Sequence, residues 1–138
     1  MKQLKTEIIA LCDYALIDRD NKLSILGIFD ELRVQKFPGG FFDKFFVATI
    51  HGEAGSYKLV LELKRNGVNK NLLNPTVIDA NLESSGKHNI IVRLTNVGFE
   101  KEGLYNFSLH NGGEEIGAVS LNVINKAKDN LEETKMIN

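Results

Sequence analysis

Strict alternation of apolar and polar side chains is the feature that most constrains this chain. In the segment YKLVLELKR, every second residue from Tyr57 to Leu63 is apolar, and lysine or glutamate occupies most positions between them. Successive side chains of a β-strand point to opposite faces, so a period of two places one face on a core and the other in water. The segment therefore predicts a half-buried β-strand.

The stretch GLYNFSLHNGGEEIGAVSLNV repeats this pattern twice. Alternate residues are apolar in the run from Tyr105 to Leu109 and again from Val119 to Val123. Between the runs, Asn111 is followed by two glycines, a combination that favours a tight hairpin turn. We predict a hairpin whose two apolar rows face each other.

The N-terminal part predicts a second hairpin. TEIIALCDYALID is rich in strand-forming residues, DRDNK is a polar turn, and LSILGIFDELRVQ is the returning strand. Gly27 lies within that returning strand, which indicates a bulge or a close backbone approach. Asn66 and Gly67 indicate a further hairpin turn.

These segments predict an all-β fold, an antiparallel Greek-key β-sandwich of about eight strands, immunoglobulin-like, with a short C-terminal helix or tail. A closed barrel of the same strands is the alternative. Gly103 and Tyr105 begin a strand as a Gly-x-Tyr step. In such sandwiches a tyrosine at this place donates a hydrogen bond to the backbone upstream, and we predict that Tyr105 does so.

The 138 residues suit one domain. We assign residues 1–125 to a single β-sandwich and residues 126–138 to a polar tail or short helix.

A resemblance to a known family covers about residues 4–124. The segment ALCDYALIDRDNKLSILGIFDEL and the closing GFEKEGLYNFSLHNGGEEIGAVSLNV resemble a family of small bacterial uncharacterised proteins, a domain of unknown function. The resemblance implies a β-sandwich and carries over no catalytic residues.

The charge balance and the cysteine count indicate which partners and which compartment to expect. Seventeen Lys and Arg residues nearly balance eighteen Asp and Glu residues, so no overall field attracts nucleic acid or an anionic membrane. The chain has one cysteine, Cys12, and needs no oxidising compartment. We expect a cytoplasmic protein with neither nucleic-acid nor membrane partners.

Catalytic and metal-binding signatures are missing from the sequence. His51, His88 and His110 lie on separate strand segments without ligand spacing. No Gly-x-Ser-x-Gly elbow occurs, and we expect Cys12 to be a buried, inert strand residue. We therefore predict no enzyme, no metal and no cofactor.

Phenylalanine is concentrated in KFPGGFFDKFF, which holds five of the eight phenylalanines. Core packing explains most of them, but adjacent strand residues point to opposite faces, so one or two rings should be exposed. The candidate interaction loop comprises Phe37, Pro38, Phe41 and Phe42.

The function expected from these observations is a non-catalytic module that acts through protein–protein contacts or assembly, with a homodimer as one form. The alternative is a small-ligand-binding domain or small enzyme whose site is assembled only in three dimensions. Convergence of the histidines with acidic residues in a pocket would favour that alternative.

Overall fold

A computed structural model describes residues 3–84 and 86–126. Within these residues the chain forms nine β-strands in two packed sheets. The strands are β1 (Leu4–Ile17), β2 (Leu23–Phe29), β3 (Glu31–Val34), β4 (Gly39–Gly52), β5 (Gly55–Arg65), β6 (Thr76–Leu82), β7 (Lys87–Phe99), β8 (Gly103–Asn111) and β9 (Glu114–Asn125).

The two sheets confirm the predicted all-β sandwich. The first sheet has the strand order β2-β1-β4-β7 and is antiparallel throughout. The second has the order β3-β9-β8-β5-β6, and in it only β3 and β9 run parallel. The predicted tail falls, from residue 127 onward, outside the described residues.

One predicted strand is in fact two. The segment LSILGIFDELRVQ begins as β2 in the first sheet and ends as β3 in the second. The chain crosses between the sheets at Asp30, whose carbonyl accepts a hydrogen bond from the backbone amide of Asn122 (2.8 Å). No glycine or proline stands at Asp30 or beside it, so the sequence did not mark the break.

The main core lies between the sheets. Both alternating segments contribute to it as predicted, since Leu59, Leu61 and Leu63 are fully buried and so are Phe107 and Leu109. In the closing hairpin the two apolar rows pair across the strands, Tyr105 with Leu121 and Phe107 with Val119. The turn places Gly112 and Gly113 at φ +59° and +89°, in the left-handed region that glycine adopts without strain.

A second, smaller core lies on the outer face of the first sheet. There the end of the β1–β2 hairpin folds back over the sheet, so that Ala15 packs against Cys12 and Val47. The carbonyl of Asn21, in the hairpin turn, accepts a hydrogen bond from the side-chain amide of Asn89 on β7 (3.4 Å). Cys12 and Val47 are consequently fully buried although they face away from the main core.

Gly27 lies where the hairpin bends. It has φ +68°, and a Cβ at this position would meet the carboxylate of Asp13 at 2.5 Å. The close approach at this glycine is therefore made by the Asp13 side chain and not, as expected, by another backbone segment.

The predicted tyrosine corner is also confirmed. The hydroxyl of Tyr105 donates to the carbonyl of Lys101 (2.6 Å), and Gly103 between them has φ +148°. A second corner was not predicted: the hydroxyl of Tyr57 donates to the carbonyl of Glu53 (2.6 Å). Each corner stabilises the crossing from the first sheet into the second.

The turn at Asn66 and Gly67 differs from the prediction. The backbone closes there, since the amide of Val68 donates to the carbonyl of Arg65 (2.9 Å), but β6 begins only at Thr76. The side chain of Asn71 accepts from the amide of Leu63 (3.0 Å), so the connecting residues take the place of a strand beside the end of β5.

Candidate functional site

The predicted Pro-Gly-Gly loop is largely the beginning of a strand. β4 starts at Gly39, which pairs with Phe99 of β7, and Gly40 pairs with Gly98. A Cβ on Gly40 would lie 1.9 Å from the carbonyl oxygen of Val97. The two strands therefore approach so closely here that the position accepts glycine alone, which the sequence pattern of a Pro-Gly-Gly turn did not indicate.

Both strands change the face that they present to the core immediately after this approach. Phe41 pairs with Val97, so the next position places Phe42 opposite Asn96, which has φ +52°. Phe41 is 6% exposed and belongs to the main core, whereas further along β4 the even-numbered residues from Phe46 to Ile50 face that core. Phe42 consequently points into solvent and is 82% exposed.

The four residues of the candidate interaction loop thus differ in their burial. Phe41 is a core residue, which corrects its assignment to an interaction loop. Phe37 is half-buried and packs against the same core, while Pro38 is exposed. Phe42 is the ring that a partner would meet.

An open cleft of about 280 Å³ lies directly beside Phe42. It contains no ionisable side chain, and its lining residues are Pro38, Gly39, Gly40, Phe41, Phe42, Asn96, Val97 and Gly98. The surface therefore combines an exposed aromatic ring with an uncharged recess.

Gly98 keeps this cleft open. Its φ lies outside the left-handed region, and a Cβ built on it would meet no atom within 4 Å. Neither backbone geometry nor packing within the described part of the chain requires glycine at this position, in contrast to Gly40 across the ladder. A side chain at residue 98 would occupy the space beside Phe42.

A charged pair begins at the residue that follows Phe42 in the chain. The guanidinium of Arg93 donates two hydrogen bonds to the carboxylate of Asp43, at 2.8 and 3.0 Å. These hydrogen bonds, with the charge of Arg93, hold the pKa of Asp43 below its ordinary value. The pair joins the side chains of β4 and β7 at the residue next to Phe42.

A polar cluster on the outer face of the second sheet is the nearest approach to a catalytic arrangement. The hydroxyl of Ser108 lies 2.9 Å from Nε2 of His110, and a carboxylate oxygen of Glu62 lies 3.4 Å from the same nitrogen. In a serine–histidine–acid relay the two partners use different ring nitrogens. Here both use Nε2, so this arrangement does not form a relay.

The three histidines do not converge. His51 lies 3.6 Å from Glu7 at one end of the first sheet, His88 pairs with Ile50 on that sheet, and His110 is on the other sheet. Among residues 3–84 and 86–126, no group of three or more His, Cys, Asp and Glu side chains is placed to hold a metal ion.

Cys12 is fully buried as a free thiol. Burial raises the pKa of this thiol above its ordinary value, which lowers the fraction of reactive thiolate. The expected buried strand cysteine is confirmed.

Comparison with known proteins shows the family. Residues 7–124 match the family of unknown function DUF6941, and the chain belongs to that family. None of the curated proteins matches the chain.

Solved structures share the fold at low sequence identity. The chain is similar to part of a β-glucosidase from Listeria innocua in complex with glucose (TM-score 0.50, 13% identity, 90% of this chain). It is similar to the same enzyme in complex with isofagomine (TM-score 0.51, 13% identity, 89% of this chain). The chain spans only 16% of the glucosidase chain in both cases, and the likeness concerns the fold alone.

A DNA glycosylase, AlkC from Pseudomonas fluorescens, bound to DNA with an abasic site analogue, is more distant. Its TM-score is 0.43 at 10% identity, over 84% of this chain and 30% of the other. Within the described ranges, no helix has the length and hydrophobicity to cross a bilayer.

Proposed function

We propose that this member of the DUF6941 family is a non-catalytic binding module that takes an apolar side chain of a protein partner at the surface formed by Phe42 and the adjacent cleft. The observation that carries the proposal is the exposure of Phe42, at 82%. A phenylalanine that contributes nothing to its own core and stands beside an open recess is typical of an interface anchor.

The chemistry of the surface supports an uncharged, apolar contact. The cleft is lined by glycine, proline, aromatic, valine and asparagine residues. An aromatic ring against such a lining buries a large apolar area and leaves no charge unpaired. Exposed backbone at Gly40 and Gly98 further allows a partner to approach closely.

The rigidity of the surface supports the same function. Phe42 is on a β-strand that is paired on both sides of its position, at Phe41 and at Asp43, and the Asp43–Arg93 pair adjoins it. A ring held on a rigid strand loses less conformational entropy on binding than one on a loop. We place the protein in the cytoplasm, which agrees with the buried free thiol of Cys12.

Affinity capture with matched variants tests the proposal. The wild type and Val77→Ser, a change at a 60% exposed position of β6, should retain the same partner protein. Phe42→Ser should lose it, and so should Gly98→Leu, which fills the cleft. Equal retention by all four proteins would contradict the proposal.

A further inference from the structure

A second surface, separate from Phe42, lies on the β1–β2 hairpin and exposes apolar side chains. β2 is the edge strand of the first sheet, paired with β1 alone among the described strands. Its residues Leu26 and Ile28 are 59% and 67% exposed, and Tyr14, which pairs with Leu26, is 49% exposed. The edge strand β2 and the neighbouring part of β1 therefore both expose apolar side chains.

The edge of β2 carries no charge and no proline, and the bend at Gly27 is its one interruption. Proteins protect sheet edges with charged side chains, proline or very short strands. Among the edge strands of the described residues, β7 carries Lys87 and Arg93, β6 carries Asp79, and β3 has only four residues. β2, with the sequence LSILGIF, contains neither a charge nor a proline.

Charges of opposite sign flank this strand. Lys22 precedes β2, Asp30 follows it, and both are exposed. If two copies of β2 pair antiparallel with Leu26 opposite Leu26, the paired numbers sum to 52. Lys22 and Asp30 lie one residue beyond the two ends of β2, and because 22 and 30 also sum to 52, each Lys22 then lies near the Asp30 of the other copy, twice per dimer.

We infer that β2 is the seam of a homodimer, in which two copies pair antiparallel about Leu26 and join their first sheets edge to edge. Leu23 then faces Phe29, and Ser24 faces Ile28. The two Lys22–Asp30 pairs select this register, because a shift of the strands moves the opposite charges apart. The exposed Leu26 side chains of the two copies lie side by side at the centre of the seam.

The oligomeric state of the full 138-residue chain tests this inference. Sedimentation equilibrium over a wide concentration range should show a species of twice the chain mass of 15.4 kDa. Leu26→Lys places two lysines at the centre of the seam and should leave only monomer. Because Leu26 is largely exposed within one copy, the variant should keep the wild-type midpoint of denaturant unfolding once the wild type is measured as a monomer.

Charge reversal tests the register. Lys22→Asp or Asp30→Lys alone should raise the dimer Kd roughly tenfold, since each replaces two attractive contacts with two repulsive ones. The double variant Lys22→Asp/Asp30→Lys should restore the wild-type Kd. A monomeric wild type, a dimer that persists in Leu26→Lys, or a double variant without restored affinity would each overturn the inference.

The inference does not rest on the proposed function of Phe42. Phe42→Ser should lose the partner protein and remain dimeric, whereas Leu26→Lys should become monomeric with Phe42 unchanged. Each experiment can therefore contradict one proposal without contradicting the other.

Discussion

Tyr57 and Tyr105 occupy equivalent positions in this sandwich. The hydroxyl of each donates, at 2.6 Å, to the carbonyl of the residue four positions earlier. Gly55 and Gly103, two residues before each tyrosine, have φ +150° and +148°. The two corners connect β4 to β5 and β7 to β8, and these strands pair with each other in both sheets. The centre of the sandwich thus consists of two similar crossings.

Removal of either corner hydroxyl should destabilise the protein by a similar amount. Tyr105→Phe and Tyr57→Phe should each lower the free energy of unfolding by about 1–2 kcal/mol, because a partly buried hydrogen bond is lost. Equilibrium denaturation in urea measures the change. Tyr14→Phe is the matched control, since Tyr14 is exposed, and it should leave the urea midpoint unchanged. An unchanged midpoint for Tyr105→Phe would show that the corner bond does not contribute to stability.

The Asp43–Arg93 pair predicts a defined pH dependence. The pKa of Asp43 is depressed in the folded state, so its contribution to stability is complete above the ordinary aspartate pKa. The contribution decreases as the pH falls from that value through the depressed folded pKa. Arg93→Gln removes the charged donor and should raise the pKa of Asp43 toward its ordinary value. NMR titration of the Asp43 carboxyl carbon measures both values, and equal values in the two proteins would contradict the cause assigned here.

The two paired glycines at the candidate site should respond oppositely to alanine. Gly98→Ala should stabilise the fold by about 0.5–1 kcal/mol, because alanine restricts the unfolded chain and meets no obstacle here. Gly40→Ala should destabilise it by more than that, because the new Cβ would collide with the carbonyl oxygen of Val97. Thermal and urea denaturation distinguish these outcomes. Destabilisation by Gly98→Ala would mean that glycine at this position serves the fold and not the cleft.

Adjacent phenylalanines should also differ in their importance for stability. Phe41→Ser removes a buried ring and should cost about 3–5 kcal/mol, in the range of Phe→Ala changes in cores. Phe42→Ser should change the free energy of unfolding by about 0.5 kcal/mol or less, as surface substitutions do. The same urea experiment measures both. If Phe42→Ser unfolds the chain, the ring belongs to the core.

Local alternation was sufficient to predict much of the fold. The strands around Leu61 and Phe107, the closing turn at Gly112 and the corner at Tyr105 all follow from neighbouring residues. Such features depend on strand period and turn chemistry, which a sequence records directly.

The alternation of apolar and polar residues does not predict the candidate site. Phe42 faces solvent because β4 and β7 both change faces at its level, where Asn96 has a positive φ. That change arises from the pairing of distant segments, and the run of phenylalanines alone did not distinguish Phe41 from Phe42. The fold-back of the β1–β2 hairpin, which buries Cys12, likewise depends on contacts between distant residues such as Asn21 and Asn89.

Site-specific photo-cross-linking from residue 42 tests the proposed function most directly. A photoreactive phenylalanine analogue in place of Phe42 should give, in living cells, one discrete adduct heavier than the 15.4 kDa chain. The same analogue in place of Val77, also exposed, should not give it, and Gly98→Leu should abolish it. No adduct from residue 42, or the same adducts from residues 42 and 77, would contradict a binding surface at Phe42.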